Sequence, residues 1–331
     1  MLIRDTAALI AANFSPSDQA TDLDAVAQRY AVAIPDALQA LIHHPDDPIG
    51  RQFIPHPDEL HAAPHERPDP IGDDALSPVP GIVHRYADRA LLKPLLICPT
   101  YCRFCFRREH VGPGGGLLTD AQLEGAFEWL RAHPAIREVI LTGGDPLMLS
   151  GRRLGGILAA LDAIPHVELL RIHTRVPIAE PARVSSLRTE KPLWLVVHVN
   201  HARELSPDAV ASLRRIQEQG VPVLSQSVLL RGVNDSAEAL EDLFRALLRA
   251  KVKPYYLHQL DPAPGTSRFH VPIAEGQAIL RALRGRLTGL AWPTYVLDIP
   301  GGHGKVPIGP GYLEGGVVRD PDGLPHPLAG E

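Results

Sequence analysis

Apolar residues recur along this chain in two rhythms. Within residues 22–42, Leu23, Val26, Tyr30 and Val32, then Leu38, Leu41 and Ile42, fall at helical spacing, with Pro35 breaking the run. Residues 1–44 therefore predict two or three short helices. From residue 91 the rhythm changes. Short runs of Leu, Ile and Val alternate with longer amphipathic stretches, at a period of about thirty residues. Strands are predicted at 92–97, 138–141, 168–173, 193–199, 222–229 and 254–259, with a last extended run at 294–297. Helices are predicted from Thr119 onward and at 152–163, 207–220, 237–250 and 275–290, with a short one near 181–187. Their ends carry stop and start signals: Thr119 with Gln122 in the capping-box position, Ser206 before Pro207, and Gly220 as a C-terminal stop.

Strands alternating with helices imply a parallel sheet, and both a barrel and an open doubly wound sheet fit that order. The polar residues decide between them. The predicted strands run into the cysteines after residue 97, then Gly143-Gly144-Asp145-Pro146, His173-Thr174-Arg175, His198-Val199-Asn200-His201, Ser225-Gln226-Ser227, His258-Gln259-Leu260-Asp261 and Asp298. An open sheet binds at one switch point, whereas a barrel gathers every strand end on one face. Six strand–helix units predict an α/β fold with an incomplete (β/α)6 barrel over residues 91–308. An N-terminal helical extension and Pro-rich connector precede it (1–90), and a Gly- and Pro-rich C-terminal tail follows (309–331). Proline, at 33 residues, is about twice its usual share, and many of these fall between Pro45 and Pro94. That region is expected to wrap in extended form. Its end, His84-Arg85-Tyr86-Ala87-Asp88-Arg89, is read either as a solvated loop or as two arginines reaching back to an anionic cofactor.

Net charge is -5 with no long basic run, so no nucleic-acid partner is expected. No stretch approaches the roughly 20 apolar residues of a membrane span, so no membrane partner is expected either. The N-terminus lacks a secretory core, and a reducing cytoplasmic setting is expected.

All three cysteines sit in Cys98-Pro99-Thr100-Tyr101-Cys102-Arg103-Phe104-Cys105, spaced C-x3-C-x2-C. Thiolates at this density ask for a soft metal or an iron–sulfur cluster. Three cannot close a tetrahedral site alone; a zinc knuckle completed by His110 is one reading. Three do suit a [4Fe–4S] cluster with one open iron. The pattern resembles that of radical S-adenosylmethionine enzymes, where the open iron binds S-adenosylmethionine and the reduced cluster cleaves it to a 5′-deoxyadenosyl radical. Gly143, Gly144 and Asp145 match the glycine-rich motif that holds the methionine amino group in those enzymes. Pro300-Gly301-Gly302-His303-Gly304-Lys305 is not a phosphate-binding loop, because Ile299 stands at the required glycine and Val306 follows the lysine. A glycine tether suits instead a lysine that carries pyridoxal phosphate and hands it to a substrate amine.

CPTYCRFCFRR, SPVPGIVHRYADR, LTGGDPLMLS, QSVLLRGVND, KPYYLHQLD and DIPGGHGK, spread over roughly residues 30–310, together resemble the lysine 2,3-aminomutase family. The resemblance implies an isomerase that converts L-lysine to β-lysine, with a [4Fe–4S] cluster, S-adenosylmethionine and pyridoxal 5′-phosphate. It implies that Cys98, Cys102 and Cys105 hold the cluster, with Phe104 and Gln226 near S-adenosylmethionine. Lys305 carries pyridoxal phosphate, Arg85 and Arg89 its oxygens, and His258 stands beside its ring where some members have tyrosine. Arg107 takes the substrate carboxylate; Asp261 and Asp298 take its far ammonium. A one-electron reductant of the flavodoxin or ferredoxin type and a homo-oligomer are also implied. The chain stops sooner after the lysine motif than the longer aminomutases, and Ser236 stands where those place a cysteine. Short members include the enzyme that makes β-lysine for elongation factor P, so that role stays open. So do glutamate as substrate and, outside enzymes, a cluster- or zinc-binding regulatory protein.

Overall fold

A computed structural model describes residues 2–183, 186–314 and 317–327. Its centre is a nine-stranded sheet in sequence order. β1 (Ile82–Tyr86) and β2 (Arg89–Leu95) form an antiparallel hairpin. β3 (Glu138–Gly143), β4 (Leu169–Thr174), β5 (Leu193–His198), β6 (Val223–Val228), β7 (Lys253–His258) and β8 (Thr294–Asp298) then continue from β2 in parallel. β9 (Lys305–Pro307) turns back antiparallel to β8. The order is linear, so β1 and β9 are free edges and the barrel is incomplete, as the six strand–helix units predict.

Four short helices precede the sheet: α1 (Thr6–Ala11), α2 (Ala20–Arg29), α3 (Asp36–Gln39) and α4 (Gly50–Phe53). The crossover helices are α5 (Asp120–Arg131), α6 (Gly151–Asp162), a single turn α7 (Val176–Ala179), α8 (Pro207–Gln217), α9 (Ala237–Arg249) and α10 (Ile273–Leu283). Thr119 and Gln122 make the predicted reciprocal cap, and Ser150, Ser206 and Ser236 cap the next three long helices. The long crossover helices α5, α6, α8, α9 and α10 each bury an apolar stripe that includes leucine. In α9 the stripe is Leu240, Leu243, Phe244 and Leu247, all buried. No helix among the described residues is long and apolar enough to cross a membrane.

The structure departs from the sequence reading in four places. Residues 84–89 are not a solvated loop: His84, Arg85 and Tyr86 end β1, and Arg89 starts β2. The tail after residue 309 carries a small antiparallel sheet, β10 (Leu313–Glu314), β11 (Val317–Arg319) and β12 (Pro325–Pro327). The last long helix ends at Leu283, seven residues early, and a one-turn helix at Gly289–Ala291 follows. The short helix near 181–187 falls partly on 184–185, outside the described residues; the helical turn lies earlier, at α7.

The Pro-rich connector does more than wrap. Glu59 within it is fully buried and binds two arginines of the cysteine loop. Arg103 Nη2 donates to it at 2.5 Å, and Arg108 Nη2 donates to the same oxygen. Arg103 also donates to the Ala31 carbonyl at 2.8 Å. Burial alone would raise the Glu59 carboxyl, but the Arg103 and Arg108 charges outweigh it and hold it down to about 2. Two consequences are measurable. Glu59→Ala strands buried guanidinium groups and should cost about 3–5 kcal/mol in urea unfolding. Because the folded-state value lies below the ordinary 4.5, this stabilisation is present above that pH and is lost as pH falls toward 2. An acid-unfolding profile of Glu59→Gln that keeps the wild-type loss in this window contradicts the assignment.

Candidate active site

The strand ends enclose a cavity of about 610 Å³. Its two chemically distinct walls come from opposite ends of the sheet: the loop after β2 and the turn between β8 and β9.

The loop after β2 carries Cys98, Cys102 and Cys105, all free and all facing the cavity. Burial pushes each thiol up, Cys105 to about 11. Thiols in that state lose their protons to solvent only when a Lewis acid binds the sulfur, which is what the iron of a cluster would supply. Among the described residues no three His, Cys, Asp or Glu side chains close on a single ion. A cluster does not require that, since its thiolates sit on different irons. His110 is half in solvent with its Nε2 3.6 Å from Asp74. The donor set therefore fits a cluster better than a zinc knuckle.

The glycine pair fixes the root of this loop. A side-chain carbon on Gly144 would lie 2.4 Å from the Ile97 carbonyl oxygen, and Gly143 holds φ +104°. Without side chains, β3 approaches the end of β2 closely enough for Gly144 N to donate to Leu95 O (2.8 Å) and Asp145 N to Ile97 O (2.9 Å). The close approach predicted for a ligand is made here to the cysteine loop itself. Asp145 is occupied by the protein: its carboxylate accepts from Thr174 Oγ1 (2.7 Å) and from the amides of Arg175 (2.6 Å), Val176 and Leu147. Burial still pushes it up to about 6.

Phe104 is buried with its ring 5.6 Å from that of His198 and edge-on to Phe269. Gln226 lines the cavity from β6. His258, at the end of β7, lies edge-on to Tyr256 at 5.6 Å. The Nε2 atoms of His173, His198 and His258 are buried without a partner, and burial pushes all three imidazoles well below their ordinary range. These rings are neutral donors or acceptors aimed into the cavity.

On the other wall, Asp298 and Lys305 are register partners across β8 and β9. Lys305 Nζ lies 3.1 Å from Asp298 Oδ2 and 5.1 Å from the centre of the Tyr256 ring. Gly301, Gly302 and Gly304 all hold positive φ and make a tight turn rather than a loose tether. Arg85 joins this pair, its Nη1 donating to Asp298 Oδ1 at 2.7 Å. Arg107 Nε donates to Asp73 Oδ2 at 2.7 Å. Asp261 lines the same space; burial and the Asp298 charge push its carboxyl up to about 7. Arg89 also lines the cavity, paired with Asp88 and stacked 3.9 Å over the Tyr86 ring.

The sequence reading missed Asp73, Tyr86, Tyr256 and Arg175. Tyr86 and Tyr256 lay in quoted motifs beside chosen residues. Arg175 lay at a strand end already noted as polar. Asp73 sits among the prolines with no local pattern to mark it.

A family model described as the Radical SAM superfamily matches residues 92–244, and one described as Lysine-2,3-aminomutase matches residues 280–317. L-lysine 2,3-aminomutase of Clostridium subterminale is 40% identical over 274 residues, 81% of this chain and 66% of that protein. The Escherichia coli K12 protein of the same name is 41% identical over 274 residues, 80% of this chain and 79% of that one. A putative L-lysine 2,3-aminomutase of Aquifex aeolicus is 39% identical over 293 residues, covering 86% and 79%. The chain thus spans about two thirds of the clostridial relative's length. On these matches, and with the three cysteines and the Asp298–Lys305 pair facing one cavity, the chain belongs to the lysine 2,3-aminomutase family of radical S-adenosylmethionine enzymes.

Proposed function

We propose that this protein is a 2,3-aminomutase that converts L-lysine to β-lysine. The family's cofactors are a [4Fe–4S] cluster, S-adenosylmethionine and pyridoxal phosphate. When bound, they supply the adenosyl radical that removes a β-hydrogen and the aldehyde that carries the migrating nitrogen. The observation that carries the reading is the sharing of one cavity by three unpaired thiols and by a lysine amine held on a carboxylate. A cluster-binding or zinc-binding regulatory module has no use for the second feature.

The chain's own residues then have distinct tasks. Cys98, Cys102 and Cys105 hold the cluster. Phe104, Gln226 and the Gly143–Gly144 turn border S-adenosylmethionine. Lys305 holds pyridoxal phosphate. Arg107 lines the cavity and binds the substrate carboxylate through its Nη atoms, its Nε being held by Asp73. Asp298 holds the Lys305 amine at rest; a substrate ammonium brings the same charge to the same carboxylate and frees that amine. Asp261 has no cation in contact among the described residues, so a second positive charge completes the group. A flavodoxin- or ferredoxin-type donor in the cytosol supplies the electron.

Three measurements test this. Anaerobic reconstitution with iron, sulfide, S-adenosylmethionine, pyridoxal phosphate and dithionite should yield β-lysine from L-lysine. Glutamate would meet two carboxylates at its far end. An unmatched buried charge costs about 3–5 kcal/mol, so kcat/KM should favour lysine by at least about a hundredfold. Equal or faster turnover of glutamate refutes the substrate assignment.

Borohydride reduction of the loaded protein should place the pyridoxyl label on Lys305. Lys305→Ala should lose the label while keeping its iron; a label on another residue removes Lys305 from the role.

The third measurement uses the cofactor-free protein. The Asp261 carboxyl is raised in the fold from 3.8 to about 7. Below pH 3.8 both folded and unfolded chains are protonated there. As pH rises from 3.8 to about 7 the unfolded chain ionises first, and stability is lost. Asp261→Asn should therefore raise Tm by a few degrees at about pH 8 and leave it unchanged at about pH 4. A pH-independent difference would show that Asp261 does not carry this buried charge.

A further inference from the structure

We propose that Arg175 sets the reduction potential of the cluster by donating a hydrogen bond to the sulfur of Cys102, an assignment that rests on the cluster reading above. Arg175 follows β4 and is 5% exposed. Its Nη1 donates to Cys102 Sγ at 3.0 Å. Its Nη2 donates to Gln52 Oε1 at 2.8 Å and to Glu204 Oε2 at 2.5 Å. The guanidinium also stands 4.6 Å from the centre of the Phe53 ring.

Both partners of the second fork are fully buried and fixed in turn. Gln52 Nε2 donates to the Pro48 carbonyl at 2.8 Å and to Glu204 Oε1 at 3.1 Å. Glu204 Oε1 accepts from the amides of Asn200 and His201, both at 2.9 Å. Asn200 Nδ2 donates to the Gln52 oxygen at 3.0 Å. The guanidinium therefore cannot swing toward or away from the sulfur without breaking a buried network drawn from three separate segments. A guanidinium serving only as a tie to Glu204 has no need to present its other fork to a thiol. Among the described residues, neither Cys98 nor Cys105 receives a side-chain hydrogen bond at its sulfur.

The charge balance gives the direction. Three thiolates on an oxidised cluster core carry a net charge of -1, and the single electron from the external donor takes it to -2. Part of that added charge lies on the thiolate sulfurs. A fixed guanidinium at one of them stabilises the reduced form over the oxidised one and raises the potential. Arg175 acts through Cys102 and is a positioning residue.

The test uses the anaerobically reconstituted holoprotein as wild type, Arg175→Lys and Arg175→Met. The reduced-cluster electron paramagnetic resonance signal is titrated with dithionite and mediators. Arg175→Met should lower the reduced-to-oxidised ratio at a fixed potential about tenfold, equivalent to about 59 mV for a one-electron couple. Arg175→Lys, which keeps the charge but not the fork, should fall between. Variants that lose thermal stability with an unmoved potential overturn the proposal. If Arg175→Met fails to hold a cluster, wild type grown with 15N-guanidino arginine decides the matter. Pulsed spectroscopy should show a nitrogen coupling at the reduced cluster that Arg175→Lys lacks, and its absence from wild type overturns the proposal. A wild type that binds no iron overturns the cluster reading, and this inference with it. A normal cluster with unmoved potentials overturns this inference alone.

Discussion

An open sheet has two unpaired edges, and here side chains rather than a backbone ladder join them. Arg85 of β1 reaches Asp298 at the end of β8 at 2.7 Å, and the Tyr86 hydroxyl accepts the Lys305 amide of β9 at 2.7 Å. Arg85 and Asp298 are both largely buried. Removing Arg85 would leave Asp298 with Lys305 alone, and removing Asp298 would leave Arg85 with only the Asp73 carboxylate at 3.8 Å. The contact that closes the barrel and the contact that aligns the Lys305 amine are therefore the same. A ladder would close the sheet more tightly but would leave no side chains free at the seam. The seam of an incomplete barrel can be both wall and site.

The cysteine loop poses the opposite problem. It has no helix or strand to satisfy its backbone and must be held from outside. Two buried ionic networks do this from two sides. Glu59 of the connector gathers Arg103 and Arg108, while Glu204 and Gln52 hold Arg175 against Cys102. Each network joins a segment before the barrel to one within it. The N-terminal region is thus part of the site's framework, although only Arg85 and Arg89, at its very end, were singled out for chemistry from sequence, and neither Gln52 nor Glu59 was.

What was legible in the sequence followed from local physics. Parallel strands announce themselves as apolar runs, helices by caps such as Thr119 with Gln122, and a thiol cluster by spacing alone. The hairpin strand Ile82–Tyr86 escaped because only its first two residues are buried and apolar, while the next three are polar: Arg85 and Tyr86 line the cavity, and His84 packs against Trp129. A strand lining a polar cavity loses the alternation that identifies it. β9 is three residues long and contains a proline, too short for any period. Glu59 and Asp73 escaped for another reason. Their partners Arg103 and Arg107 lie 44 and 34 residues away, and a long-range ion pair leaves no trace in local pattern. Gly144 was recognised as a ligand-side glycine, but its close packing against Ile97 was not foreseen, because that neighbour is known only from the fold.

The distribution of charge in the cavity also bears on what it accepts. Asp73 is shared among Arg107 at 2.7 Å and Arg85 and Lys93 at 3.8 Å each. One carboxylate among three cations leaves an excess of positive charge, and the Arg107 Nη atoms have no partner among the described residues. Asp298 is matched by Arg85 and Lys305, but Asp261 has no cation in contact among the described residues. Arg107 and Asp261 feel each other's charge across the space without forming a pair. A cavity lined by a guanidinium and a carboxyl that lack counter-charges in contact is electrostatically unbalanced. A neutral ligand relieves neither group, and a simple anion or cation relieves one. A zwitterion with an additional ammonium relieves both, provided its carboxylate and far amine are separated by a chain that spans the gap. The cavity's charge pattern thus leaves one guanidinium and one carboxyl without a counter-charge in contact among the described residues, and it is on this pattern that the proposed choice of lysine over glutamate draws.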